Sequence, residues 1–211
     1  MNGSWNDTDS FVSVEISPGS RGLDMEPVRE TIRYDQFVKI LFKGDIESMM
    51  AIHAAIGVCG EVGELIEAQY LKDPADGSIA PVKEEGGDLE FYLQAIRNHY
   101  NVSRSSVASF QQSRISKPTY EELLVIAAGE LADAIKREYI YGKPRDLRAI
   151  CAALAWIDNI TPMLYRRDEV IQLNAEKLSQ RYVGLKYTDA AAIARADKSG
   201  EAGDSNEEGR A

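Results

Sequence analysis

Two acidic pairs in this sequence have the residue types and spacing for chemistry: Glu61 with Glu64, and Glu85 with Asp88. Residues three apart on a helix point the same way, so each pair would present two carboxylates on one face. The first pair lies in unusual company. From Ala51 to Ile66 only His53, Glu61 and Glu64 are strongly polar, and the rest are Ala, Ile, Val, Leu, Cys or Gly. A helix apolar all round is buried on most sides. An isolated ionised carboxylate is too costly to desolvate there without a cation or strong donors. Antiparallel packing of the two acidic helices would gather Glu61, Glu64, Glu85 and Asp88 as four oxygen ligands. Such a cluster holds together around a hard cation, and all-oxygen ligation selects Mg²⁺ or Mn²⁺.

The competing reading is a pair of solvated helix faces, on which i, i+3 acidic residues are common. Two such pairs on consecutive helices, one of them in apolar sequence, favour the metal. A di-iron bundle would use Glu-x-x-His, whereas the residues three before His53 and His99 are Met50 and Ile96. Gly86 and Gly87 lie between Glu85 and Asp88. Each costs a helix about 1 kcal/mol relative to Ala, so the pair points to close backbone approach or to room for a ligand.

The elements that must position these groups read as helices. "RETIRYDQFVKILFK" is amphipathic at a 3.6-residue period. A second helix runs from about Asp45 to Leu71 and stops at "KDPADGS"; a third starts near Pro81, a favoured first-turn residue, and reaches about Tyr100. "SRSSVASFQQSRI" is a weaker helix, and "PTYEELLVIAAGELADAIKREYI", "RDLRAICAALAWIDNI" and "RRDEVIQLNAEKLSQRY" are strong ones. No stretch alternates with period two for long enough to predict a strand. The predicted fold class is all-α, a helical bundle. Residues 1–28 and 196–211 are polar and rich in small residues, and read as disordered tails.

The totals bound the function. At 211 residues the chain suffices for one compact domain or two small ones sharing a core. A net charge of −10 argues against nucleic acid or an anionic membrane as the main partner. Cys59 and Cys151 sit in apolar sequence without CxxC or Cys/His spacing, and read as two buried free thiols of a reducing compartment rather than as a disulfide or a zinc site. With no signal-peptide pattern and no run of 18 apolar residues, the expected location is the cytoplasm.

"GEVGELIEA" followed by "EEGGDLEFYL" resembles the MazG-like all-α nucleoside triphosphate pyrophosphohydrolases, whose hallmark is an E-x-x-E helix followed by an E-x-x-D helix. Members usually carry a further Glu before the first pair, where this chain has Gly60. "NAEKLSQRY", Asn174 to Tyr182, also resembles the N-x-x-K-L-x-x-R-Y stretch found after the acidic helices in many members. The resemblance spans about residues 30 to 190. It implies that Glu61, Glu64, Glu85 and Asp88 hold Mg²⁺. It further implies that a nucleoside triphosphate is cleaved to monophosphate and pyrophosphate, with one carboxylate, drawn from Glu61 and Glu64, orienting or deprotonating the attacking water. Asn174, Lys177, Arg181 and Tyr182 become candidate substrate contacts. His53 is either a base contact or a hydrogen-bonded interior residue. Lys83, beside the acidic pair, is open in the same way. Two rivals remain: a catalytically silent helical interaction module, and a hydrolase of another pyrophosphate-bearing nucleotide such as an alarmone.

The sequence reads as carrying this unit twice, the second time in degenerate form. "GEVGELIEA" at Gly60 lines up with "GELADAIKR" at Gly129, setting Glu130 and Asp133 opposite Glu61 and Glu64. Where "EEGGD" should recur the second copy reads "AALAW", so Ala153 and Trp156 replace Glu85 and Asp88. The first unit, residues 29–116, keeps the carboxylates. The second, residues 117–195, keeps Asn174, Lys177 and Arg181 on one helical face. The expectation is one composite site in an internally pseudo-dimeric monomer, or in a homodimer of such chains.

Overall fold

The computed structural model describes residues 10–16, 28–43, 47–70, 79–104 and 118–194. The chain begins with strands β1 (Phe11–Ile16) and β2 (Val28–Arg33). Among the described residues seven α-helices follow: α1 (Tyr34–Leu41), α2 (Glu47–Tyr70), α3 (Ala80–Tyr100), α4 (Tyr120–Tyr139), α5 (Leu147–Ile160), α6 (Arg167–Arg181) and α7 (Asp189–Ala194). The architecture is predominantly helical, as the periodicity predicts, with one small ribbon added.

Local chemistry sets most helix ends. Pro81 sits in the first turn of α3, and Asn101 closes that helix in the left-handed conformation, φ 52°. Thr119 and Glu122 form a reciprocal capping box at the start of α4. The Asp146 side chain accepts from Ala149 N at the start of α5. Asp168 and Glu169 place negative charge in the first turn of α6.

The ribbon corrects two expectations. Phe11–Ile16 falls in the stretch expected to be a tail, and "RETIR" belongs to β2, so α1 begins only at Tyr34. β1 and β2 pair antiparallel, with Phe11 opposite Arg33 and Ile16 opposite Val28. Val12 and Val14 point into the core while Phe11 and Glu15 face out, which is the two-residue period of a strand. Six residues are too few for that alternation to stand out in sequence. Gln172 of α6 holds the strand in place: its Nε2 donates to Ser13 O, and its Oε1 accepts from Ser13 N.

One core runs through all these elements. α2 packs on α3 and on α4, α4 on α5, α3 on α6, and α6 on β1. Leu65, Leu89, Leu93, Leu131 and Leu154 are fully buried in it. Met49–Tyr70 is also long and apolar enough by itself to cross a bilayer, a test that core helices pass too. The helix expected in "SRSSVASFQQSRI" lies almost wholly outside the described residues, as does the stretch 196–211.

Glycines set the spacing around α3. A Cβ on Gly57 of α2 would stand 2.4 Å from the Tyr92 ring, and one on Gly86 would stand 2.7 Å from the Tyr165 ring. At Gly87 it would meet backbone: 2.8 Å to Val170 O and 2.9 Å to Asn174 Cβ. The twin glycines thus serve close approach, seating α6 directly on α3.

Candidate metal centre and adjoining cavity

α2 and α3 run antiparallel, since their contacts reverse in order: Gly57 meets Tyr92, and further along α2 Glu64 meets Glu85. This crossing brings one oxygen each of Glu61, Glu64 and Glu85 within 4.8 Å of one another. Glu64 is exposed, while Glu61 and Glu85 are half-buried. Burial pushes the Glu61 carboxyl up to about 8, reinforced by Asp88, Glu64 and Glu85 and opposed by Lys177. Burial likewise raises Glu85, with Asp88, Glu64 and Glu84 adding to the effect and Lys177 offsetting it. The Glu61 Oε2 atom is buried with no hydrogen-bond partner. Three crowded carboxylates, one of which carries an orphaned oxygen, suit a hard divalent cation.

Asp88 stands beside this trio rather than within it. It accepts from Asn174 Nδ2 at 2.6 Å, and Lys177 Nζ donates to its two oxygens at 2.7 and 2.6 Å. Lys177 also lies 3.5 Å from Glu84, a carboxylate the spacing argument passed over. The close seating of α6 on Gly87 makes these contacts reachable. Asn174 is 2% exposed, and its Oδ1 has no partner.

Beyond the carboxylates opens a cavity of about 250 Å³, lined by His53, Glu61, Asp88, Arg181 and Tyr182 together with Phe42, Phe91, Tyr92 and Tyr187. His53 packs 4.9 Å from the Phe42 ring and 5.7 Å from that of Tyr92, centroid to centroid, and its Nδ1 lies 3.4 Å from Lys43 O. Burial, with Glu61 and Asp88 nearby, pushes the Tyr92 hydroxyl up to about 12. The arrangement joins a cation-ready acidic corner, a lysine, an arginine and a wall of flat rings.

Of the sequence candidates, Glu61, Glu64, Glu85, Asp88, His53, Asn174, Lys177, Arg181 and Tyr182 therefore gather in one region. Lys83 does not join them: its ammonium pairs with Glu169 at 2.9 Å on α6. In the stretch expected to be a second copy, Asp133 is exposed and pairs with Lys136 at 2.8 Å and Arg137 at 3.3 Å. Cys59 is exposed and Cys151 half-buried, where both were expected to be buried thiols. Ala153 and Trp156 are buried in the core. Gly60, where the resembled family usually has Glu, faces open space.

Tyr92, Phe42, Phe91 and Tyr187 were missed. Tyr92 had a signal, standing one turn beyond Asp88 on the same face of α3. Phe42 and Tyr187 had none, since they reach the cavity from other parts of the chain. Compared with known family models, curated proteins and solved structures, the chain finds no match.

Proposed function

We propose that this protein is a Mg²⁺-dependent nucleotide pyrophosphohydrolase of the MazG-like type, cleaving (deoxy)nucleoside triphosphates to monophosphate and pyrophosphate. The observation that carries the reading is the convergence of Glu61, Glu64 and Glu85 beside an aromatic-lined cavity that also contains Glu61 and Asp88. Glu61, Glu64 and Glu85 would hold Mg²⁺ or Mn²⁺, with Asp88 adjoining. When bound, such an ion neutralises phosphate charge and acidifies a water.

The chain's own groups divide the remaining work. One carboxylate, drawn from Glu61 and Glu64, orients the attacking water or takes its proton. Lys177 holds Asp88 in place and adds positive charge where phosphate oxygens would lie. Arg181, at the cavity wall, offers a planar fork to a phosphate. Tyr92, Tyr182 and His53 give flat faces against which a base can stack. The cavity is slightly below the roughly 300–1,000 Å³ of drug-sized pockets, a size suited to base and sugar with the phosphates outside.

A tandem origin is supported by the packing: α2 pairs with α3, α4 pairs with α5, and α2 lies against α4. Asn174 and Lys177 reach Asp88 within one chain, which favours a composite site in a pseudo-dimeric monomer. The test is incubation with each NTP and dNTP, with Mg²⁺ or with chelator. Expected is pyrophosphate release that chelator and Glu61→Gln both abolish. Stepwise orthophosphate release would assign a different hydrolase chemistry, and no turnover with any nucleotide would favour a silent interaction module.

A further inference from the structure

On the other side of Phe42 lies a second and larger cavity, about 620 Å³, between α1, the start of α2 and the C-terminal half of α3. Its lining is basic, which is unexpected in a chain of net charge −10. Arg33, Lys39, Arg97 and Arg104 all face it, against a single carboxylate, Asp35. Arg33 already clasps Asp35 through two hydrogen bonds of 3.0 Å each, so that acid is spoken for.

Arg97 is the telling residue. It is 2% exposed, and only its Nη2 is engaged, donating to Asp158 Oδ1 at 2.6 Å. That same oxygen also lies 2.9 Å from Arg104 Nη2. Arg97 Nε and Nη1 are buried without any hydrogen-bond partner. A guanidinium cannot shed its proton to escape the cost, and a buried donor left unpaired is expensive. Buried Glu90 shares the field of these guanidinium groups and accepts from Arg104 Nη1 at 3.2 Å, but it meets neither orphaned donor of Arg97. Asn98, with its amide between Gln94 and the Asp35 carbonyl, adds a polar wall.

We propose that this cavity is an anion site for the phosphate group of a small molecule, with Arg97 as its floor and Lys39 at its rim. Its volume falls within the usual range for small-ligand pockets. It shares only Phe42 with the cavity beside the acidic trio, so it is a separate site and does not depend on the proposed hydrolysis.

The experiment is isothermal titration calorimetry on the full chain with inorganic phosphate and, separately, phenyl phosphate. Chelator is present throughout so that the carboxylate corner holds no cation, and ionic strength is kept constant. Saturable binding is expected, weakened at least about tenfold, or 1.4 kcal/mol, by Arg97→Gln. Lys39→Glu, an exposed change that leaves the fold alone, should weaken it comparably, while Arg181→Ala should leave it unchanged. Tighter binding of phenyl phosphate than of inorganic phosphate would identify a monoester as the occupant, and equal binding would identify the free ion. The proposal is overturned if wild type shows no saturable binding up to about 10 mM. It is also overturned if Lys39→Glu binds as wild type does, or if Arg181→Ala is the variant that loses binding.

Discussion

Gly87 and Gly60 allow the same substitution to be made twice with opposite expected results. Alanine in either helix gains about 1 kcal/mol of propensity over glycine. At Gly60 the new methyl group meets nothing within 4 Å, so Gly60→Ala should stabilise by that amount. At Gly87 it would lie 2.8 Å from Val170 O and 2.9 Å from Asn174 Cβ, where ordinary contact begins at 3.4 Å. Relief requires α6 to retreat by about 0.6 Å, the difference between 3.4 and 2.8 Å. A carbonyl in a helix backbone cannot swing aside, so the overpacking cost falls near the top of its usual range, about 3 kcal/mol. Net of propensity, Gly87→Ala should destabilise by about 2 kcal/mol, which places the two variants about 3 kcal/mol apart. Urea denaturation at fixed pH reads this directly as a shift in midpoint at constant slope. The displaced helix also carries Asn174 and Lys177, so Gly87→Ala should lose activity out of proportion to its stability loss. If the two variants unfold within about 0.5 kcal/mol of each other, α6 is not seated on α3 as described.

Buried Glu90 offers a pH test. Burial alone would raise its carboxyl, yet Arg104, Arg167 and Arg97 hold it down to about 2, against 4.5 unperturbed. A depressed acid stabilises above its unfolded pKa and loses that contribution as pH falls towards the folded value. Stability should therefore drop by about 3 kcal/mol between roughly pH 5 and pH 2, and Glu90→Gln should flatten that fall while costing stability at neutral pH. Mg²⁺ should raise the melting temperature of wild type but not of Glu61→Gln, as thermal scans with and without chelator would show. Lys177→Met should cut kcat/KM by about 100-fold with folding intact, since it strips the charge that offsets Asp88. Tyr92→Ala should raise KM by about 5- to 150-fold, the equivalent of about 1–3 kcal/mol for one lost stacking face, and an unchanged KM would exclude Tyr92 from base contact.

What the sequence determined by itself was local. The i, i+3 spacing of Glu61 with Glu64 and of Glu85 with Asp88 is a property of one helix each, as are the capping box at Thr119 and the stop at Asn101. Such features depend on neighbours within a turn, so they can be read without knowing the fold. Even here length mattered: the alternation of Val12 and Val14 was real but too short to detect. Tertiary packing decided what stands beside the carboxylates. Asp88 meets Asn174 from 86 positions away only because Gly86 and Gly87 let α6 sit on α3. The ring-lined cavity and the buried, half-used Arg97 arise from segments that share no period and no spacing. Their meeting is set by how helices pack, and a one-dimensional pattern carries no record of that.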